Sequence, residues 1–310
     1  MALCVVACHI YSHGAFQFDN KILHFLFYSI MGYVPVSVFF FLSGYGLAFC
    51  YSQKGSNYIK EFPRRRLLPF YLIDVILIII YSIIKVVAGY EISLSNIIQS
   101  FTFGGTVIEF GWYIQTILVL YILFWLVYSF KFSDMVKVIA LIGANILFCA
   151  ICFAAKYNTT LFATSICFSM GMLWERYKNR IDKALSNRLL YIVSIICAFS
   201  FAGASYFLSH ILNGRIAETL QVSGTALAFT VIIVLILKII PIYCKVTEAI
   251  GKVSLEIYVM QGMMFIIVPY FPFANYCLYA GTVLAGTLIL ACLFHQIVKN
   301  IFNIGKKPVR

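Results

Sequence analysis

Two histidines, His9 and His13, stand four residues apart near the start of this 310-residue chain. That spacing places both rings on one face of a helix. Imidazole titrates close to neutral pH and suits general-base work. A packed or interfacial role is the plain alternative for either ring. A His-x3-His pair also binds zinc, but no third ligand stands at a suitable spacing.

The second group is Arg64, Arg65 and Arg66, in the stretch EFPRRRLLPFY between two apolar segments. Guanidinium offers fixed donors that match phosphate oxygens in pairs. Coenzyme A, a cytoplasmic donor with several phosphates, is the type of ligand such a cluster would hold. Cations at a cytoplasmic helix end also serve as plain topology anchors. Asp74, one turn further on, reads as a partner for one of these arginines or as a group that orients one. Glu256, in SLEIYVMQG, is expected to face the interior of a helical bundle, because a charge within a span is costly in lipid.

The elements that must carry these groups follow from composition. Hydrophobic residues make up 63% of the chain and charged residues 11%, with a mean hydropathy of +0.96. A water-soluble domain of this length could not cover so much apolar surface. A spanning helix needs about 20 apolar residues. Ten such segments are expected, at 1–13, 30–51, 67–88, 110–130, 135–154, 160–176, 189–209, 219–239, 249–271 and 276–298. The fold class expected is all-α: a polytopic bundle of about ten transmembrane helices, forming a single domain over 1–310. The first span is shorter than the rest and reads as a truncated helix.

The loops orient the bundle. With the N-terminus inside, nineteen of the 23 Lys and Arg residues fall in inside loops. Only Lys21, Lys85, Lys156 and Arg215 fall outside. Both termini are therefore expected in the cytoplasm, and the net charge of +12 reflects orientation in a lipid bilayer and not affinity for nucleic acid. The ten cysteines lie mostly in apolar runs and read as small packing groups. Nothing basic precedes the first apolar run and no small-residue cleavage site follows it, so no cleavable signal peptide is expected.

Five stretches together resemble the integral-membrane acyltransferase 3 family, which includes bacterial O-acetyltransferases of cell-surface polysaccharides. They are VVACH, VSVFFFLSGYGLAF, RRRLLPFYL, EFGWYIQTILVLYILFWLVY and IGKVSLEIYVMQGMMF. The resemblance implies a membrane O-acyltransferase that moves acetyl from cytoplasmic acyl-CoA, as co-substrate, to a hydroxyl of an envelope polysaccharide or glycolipid. It places the chain in a bacterial cytoplasmic membrane. His9 falls at the family's catalytic histidine. Arg66 matches the arginine ahead of a proline, with Arg64 and Arg65 beside it, to hold the donor's phosphates. Ser43 and Gly44, with Gly46, would let the pantetheine arm approach the backbone closely. His13, Trp112, Tyr258 and Gln261 are the candidates for contact with the acceptor. Gln261 stands where the family commonly has histidine, and the family's arginine eleven positions ahead of His9 would lie before Met1. A transporter or flippase of an anionic or glycolipid substrate is the alternative, since interior polar groups and a basic cytoplasmic mouth fit it too.

Overall fold

The computed structural model describes residues 1–13, 20, 23, 25–240 and 242–303. Lys21, Lys306, Lys307 and Arg310, used above to orient the loops, lie outside the described residues. Every regular element among them is helical.

The chain opens with α1 (Ala2–His13). A wide π-type turn, Phe25–Tyr33, runs straight into α2 (Val34–Lys54), with Pro35 in its first turn, where a missing N–H costs nothing. Gly55, at φ 57°, ends α2 in a conformation that glycine adopts freely. A short α3 (Ser56–Phe62) leads through a second π-type turn, Pro63–Leu67, into α4 (Leu68–Val87). Gly89, at φ 78°, closes that helix. Ser93 and Asn96 exchange capping bonds at the head of α5 (Leu94–Phe101). Then follow α6 (Trp112–Ser129), α7 (Asp134–Ala154) behind a Ser133 cap, α8 (Ile166–Arg176) and α9 (Lys178–Leu185). Asn187 caps α10 (Arg188–Ile211). The chain ends with α11 (Gly214–Ile239), α12 (Lys245–Lys252), α13 (Ser254–Ile267) and α14 (Tyr276–Asn303).

Seven of the described helices are long and apolar enough to cross a membrane, and eight if the bent pair Lys245–Lys252 and Ser254–Tyr270 counts as one span. The clearest physical sign is α10. Only 11% of its most apolar window is buried, yet the mean hydropathy of that window is 1.9. Phe199 and Phe207 point outward with more than half their surface uncovered. Water would not tolerate such a face; hydrocarbon does.

Two expected spans take a different form. The segment expected at 160–176 is a short 3₁₀ turn, an irregular link and the eleven-residue α8. The segment expected at 249–271 is bent by 68° between α12 and α13. The first span, α1, has twelve residues and is short, as expected. Continuous apolar runs thus mark burial in lipid or protein without guaranteeing an unbroken helix.

Contacts divide the chain into two compact units. The first comprises Met1–Gly32, Leu68–Gln115 and Tyr243–Arg310; the second comprises Tyr33–Leu67 and Thr116–Ile242. In the first unit, α13 is central and packs on α1, α4 and α14. The buried Tyr81 hydroxyl of α4 donates to the Val259 carbonyl at 2.5 Å. Gly262 is what lets the 102–111 link pass so close: a Cβ there would meet Glu109 Cβ and the Tyr81 hydroxyl, each at 2.5 Å.

In the second unit, α2 and α8 cross with almost no side chain between them. A Cβ on Gly44 would fall on the Phe168 carbonyl, and one on Gly171 on the Phe41 carbonyl. Small residues are how helices reach this distance in lipid, where dispersion and polar contacts replace the hydrophobic drive. Polar bonds tie the same unit. Ser37 lies 2.8 Å from Thr230 on α11, and Asn145 donates to the Ser165 carbonyl and the Ser169 hydroxyl, each at 3.0 Å.

Candidate active site

His9 sits on α1, half-buried against α13. Its Nδ1 lies 3.1 Å from Oε1 of Gln261. The glutamine is fully buried, and its Nε2 donates to the Tyr258 carbonyl at 2.9 Å. That bond orients the amide. Its oxygen faces the histidine, and an oxygen can only accept. Nδ1 therefore carries the proton and Nε2 holds the lone pair, which is the tautomer of a base.

Phe110 fixes the plane of the ring. It stacks on His9 with centroids 3.6 Å apart and planes 14° from parallel. Its backbone is in the left-handed region, at φ 60°. A bulky residue is strained there by about 1–3 kcal/mol and stays only when its surroundings hold it. The holder is Tyr258, whose hydroxyl donates to the Phe110 carbonyl at 2.8 Å. The neighbouring Glu109 is paired with Lys85 of α4 at 2.5 Å. Gly111 and Trp112 follow at the head of α6.

His13 stands one turn beyond His9, with ring centroids 5.8 Å apart. Phe265 completes the surround, edge-on to His9 at 6.2 Å. His13 and Phe265 both line a cavity of about 350 Å3 at this end of the unit. His9 does not line it, and its ring stands 5.8 Å from that of His13 and 6.2 Å from that of Phe265.

The arginines belong to the second unit. They occupy the Pro63–Leu67 turn, and all three are exposed. Arg64 and Arg65, with Lys60 and Glu61, line a shallow depression of about 520 Å3. Arg65 is held by Glu61 at 3.0 Å. Arg66 is directed differently, acting on Tyr58 and Tyr121. The Tyr58 hydroxyl is buried beside Arg66 and Cys50 without a well-formed hydrogen bond to either.

Ser43 bonds to the Tyr121 side chain. The helix carrying it is continuous through Ser43 and Gly46. Gly44 is occupied by the Phe168 carbonyl, whereas a Cβ on Gly46 would meet no atom within 4 Å.

One further reading is corrected. Asp74 is buried in the first unit and has no hydrogen bond or ion pair among the described residues; an arginine partner is not formed. Glu256 keeps only 13% of its side chain exposed and bonds to His295 of α14 at 2.7 Å. Phe110 is the functional neighbour that the sequence did not signal, since aromatic residues avoid its backbone conformation.

The family model described as an acyltransferase domain, that of acyltransferase 3, matches residues 1–296. The chain belongs to this family and is a multi-pass membrane acyltransferase. Neither a curated relative nor a solved structure matches it. Membership decides between the two readings of the basic mouth and interior polar groups: the chain transfers acyl groups and is not simply a carrier.

Proposed function

We propose that the protein transfers acetyl from cytoplasmic acetyl-CoA to a hydroxyl of an envelope polysaccharide or glycolipid, with His9 as general base. The observation that carries this reading is the bond from His9 Nδ1–H to Gln261, which leaves Nε2 as the basic nitrogen. Nε2 takes the proton of the acceptor hydroxyl as its oxygen attacks the thioester carbonyl. The acyl–oxygen bond forms, the acyl–sulfur bond breaks, and the proton passes from His9 to the departing CoA thiolate. No net charge is left on the protein. Gln261, Tyr258 and Phe110 act through His9 as positioning residues, and His13 faces the acceptor.

The arginines would receive the donor's phosphates. Arg64 and Arg65, already gathered with Lys60 at an open depression, suit an anion arriving from the cytoplasm. Arg66 would add to them from the side of Tyr58 and Tyr121. Gly46 is the open position on α2 and replaces Gly44 as the point where a pantetheine arm could lie against the backbone. This assignment rests on ten spans, with α1, α8 and the bent α12–α13 pair counted among them, and both termini in the cytoplasm of a bacterial cell.

The test is chemical. Purified protein is incubated with [14C]acetyl-CoA and an envelope fraction. Label should enter a glycan or glycolipid and be released by mild base, as an O-acetyl ester is. Label that resists mild base, or stays on CoA, would sink the proposal.

A further inference from the structure

We infer that the aromatic cavity at His13 and an aliphatic groove beside it form one acceptor site, and that the acceptor is a lipid-linked saccharide. The inference deepens the transfer reading and rests on it for the role of His9.

The cavity comes first. Its volume of about 350 Å3 is at the small end for a ligand site, enough for a sugar unit and not for a polymer. Its walls are mainly rings: His13, Phe265, Phe271, Phe273 and Tyr279. Phe273 and Tyr279 meet at 84°, with centroids 5.6 Å apart, and make a corner. Aromatic faces carry negative charge density and attract the polarised C–H bonds on the face of a pyranose. A methylene chain gains much less from such walls. The exposed His13 supplies a hydrogen-bonding group for a hydroxyl. Its ring is 5.8 Å from that of His9, so a sugar lodged here is one ring away from the base.

The groove is of the opposite kind. It measures about 440 Å3, and Ile83, Ile84, Val87, Ile266 and Ile267 line it. Val87 is 83% exposed, so the groove opens outward towards lipid. Branched aliphatic walls suit a hydrocarbon chain and offer nothing to a sugar. Phe271 lines both cavity and groove, so the two adjoin at this residue. The Tyr270 hydroxyl donates to the Ala88 carbonyl and ties the end of the α13 segment to the end of α4 at this junction. A free saccharide would leave the groove unused, and a simple lipid would leave the rings unused. A saccharide attached to a lipid chain fills both.

The test uses the full chain in lipid nanodiscs. The probe is an octyl glucoside with a diazirine on its alkyl chain, kept below its micellar concentration. Photolabelling should saturate, and label should map to 83–88 and 266–271. Unlabelled octyl glucoside should compete at a concentration about tenfold lower than octanol or glucose. Phe273→Ala should cost octyl glucoside that advantage and leave octanol unchanged, while Phe273→Trp should retain it. Equal competition by octanol would reduce the site to a lipid groove, and equal competition by glucose would make it a site for free saccharide; either result overturns the inference, as does label elsewhere. Should Phe273→Ala fail to fold, the competition order on the unmodified protein still decides. His9→Ala should label like the wild type, so a failure of the proposed chemistry is distinguishable from a failure of this site.

Discussion

Replacing Gln261 by leucine keeps most of the side-chain volume and removes the acceptor for His9 Nδ1–H. The wild-type bond is 3.1 Å long, and the glutamine is fully buried. Water cannot readily take its place, so the imidazole N–H would be left unsatisfied. Such a loss costs about 1–3 kcal/mol. The same bond selects the tautomer with a free Nε2, so its loss acts on the reactive form of the base. At about 1.36 kcal/mol per tenfold in rate, kcat should fall by about 5- to 150-fold. The KM for acetyl-CoA should not change, because the donor is assigned to the arginines. The assay is thiol release from acetyl-CoA with an envelope acceptor, at saturating donor, alongside thermal unfolding of the same preparation. Gln261→His, which can still accept a hydrogen bond, should recover much of the rate. Full activity in Gln261→Leu, or a pure KM effect on the donor, would refute the reasoning.

Phe110→Gly removes the ring stacked on His9 and should lower kcat about tenfold, with thermal stability changed little because glycine relieves the strain at φ 60°; a stability loss without a rate loss would contradict this. Arg64→Glu and Arg66→Glu should each raise the KM for acetyl-CoA by about tenfold or more, since charge-assisted bonds contribute about 1.5–3 kcal/mol, while membrane insertion, read by protease protection, stays normal. Unchanged KM would return the cluster to the role of topology anchor. Gly44→Ala should destabilise the second unit by about 1–3 kcal/mol through overpacking on the Phe168 carbonyl, and Gly46→Ala should be neutral, as measured by thermal unfolding in detergent.

The sequence carried the helical class and the membrane environment, because hydropathy is a local property and survives without a structure. His9 and His13 were legible for the same reason: four residues on a helix is a local spacing. The partner of His9 was legible as a candidate and not as a partner. Gln261 lies 252 residues away, and no local pattern encodes which buried amide meets which ring. Phe110 was invisible because its backbone conformation is set by Tyr258 and the close passage at Gly262, not by its own preference. Hydropathy also hid the breaks. The irregular link before α8 and the 68° bend before α13 lie in apolar runs, where chain direction is decided by packing. Gly44 and Gly46 look alike in sequence, and only the crossing of α2 with α8 separates a packing glycine from an open one.

The central claim is that His9 is the base of acyl transfer. The most direct measurement is single-turnover transfer from [14C]acetyl-CoA in the wild type and in His9→Ala, with acetyl-CoA binding measured on the same samples. The expected result is a loss of transfer of about 100-fold or more with donor binding unchanged. Transfer at the wild-type rate in His9→Ala would contradict the claim.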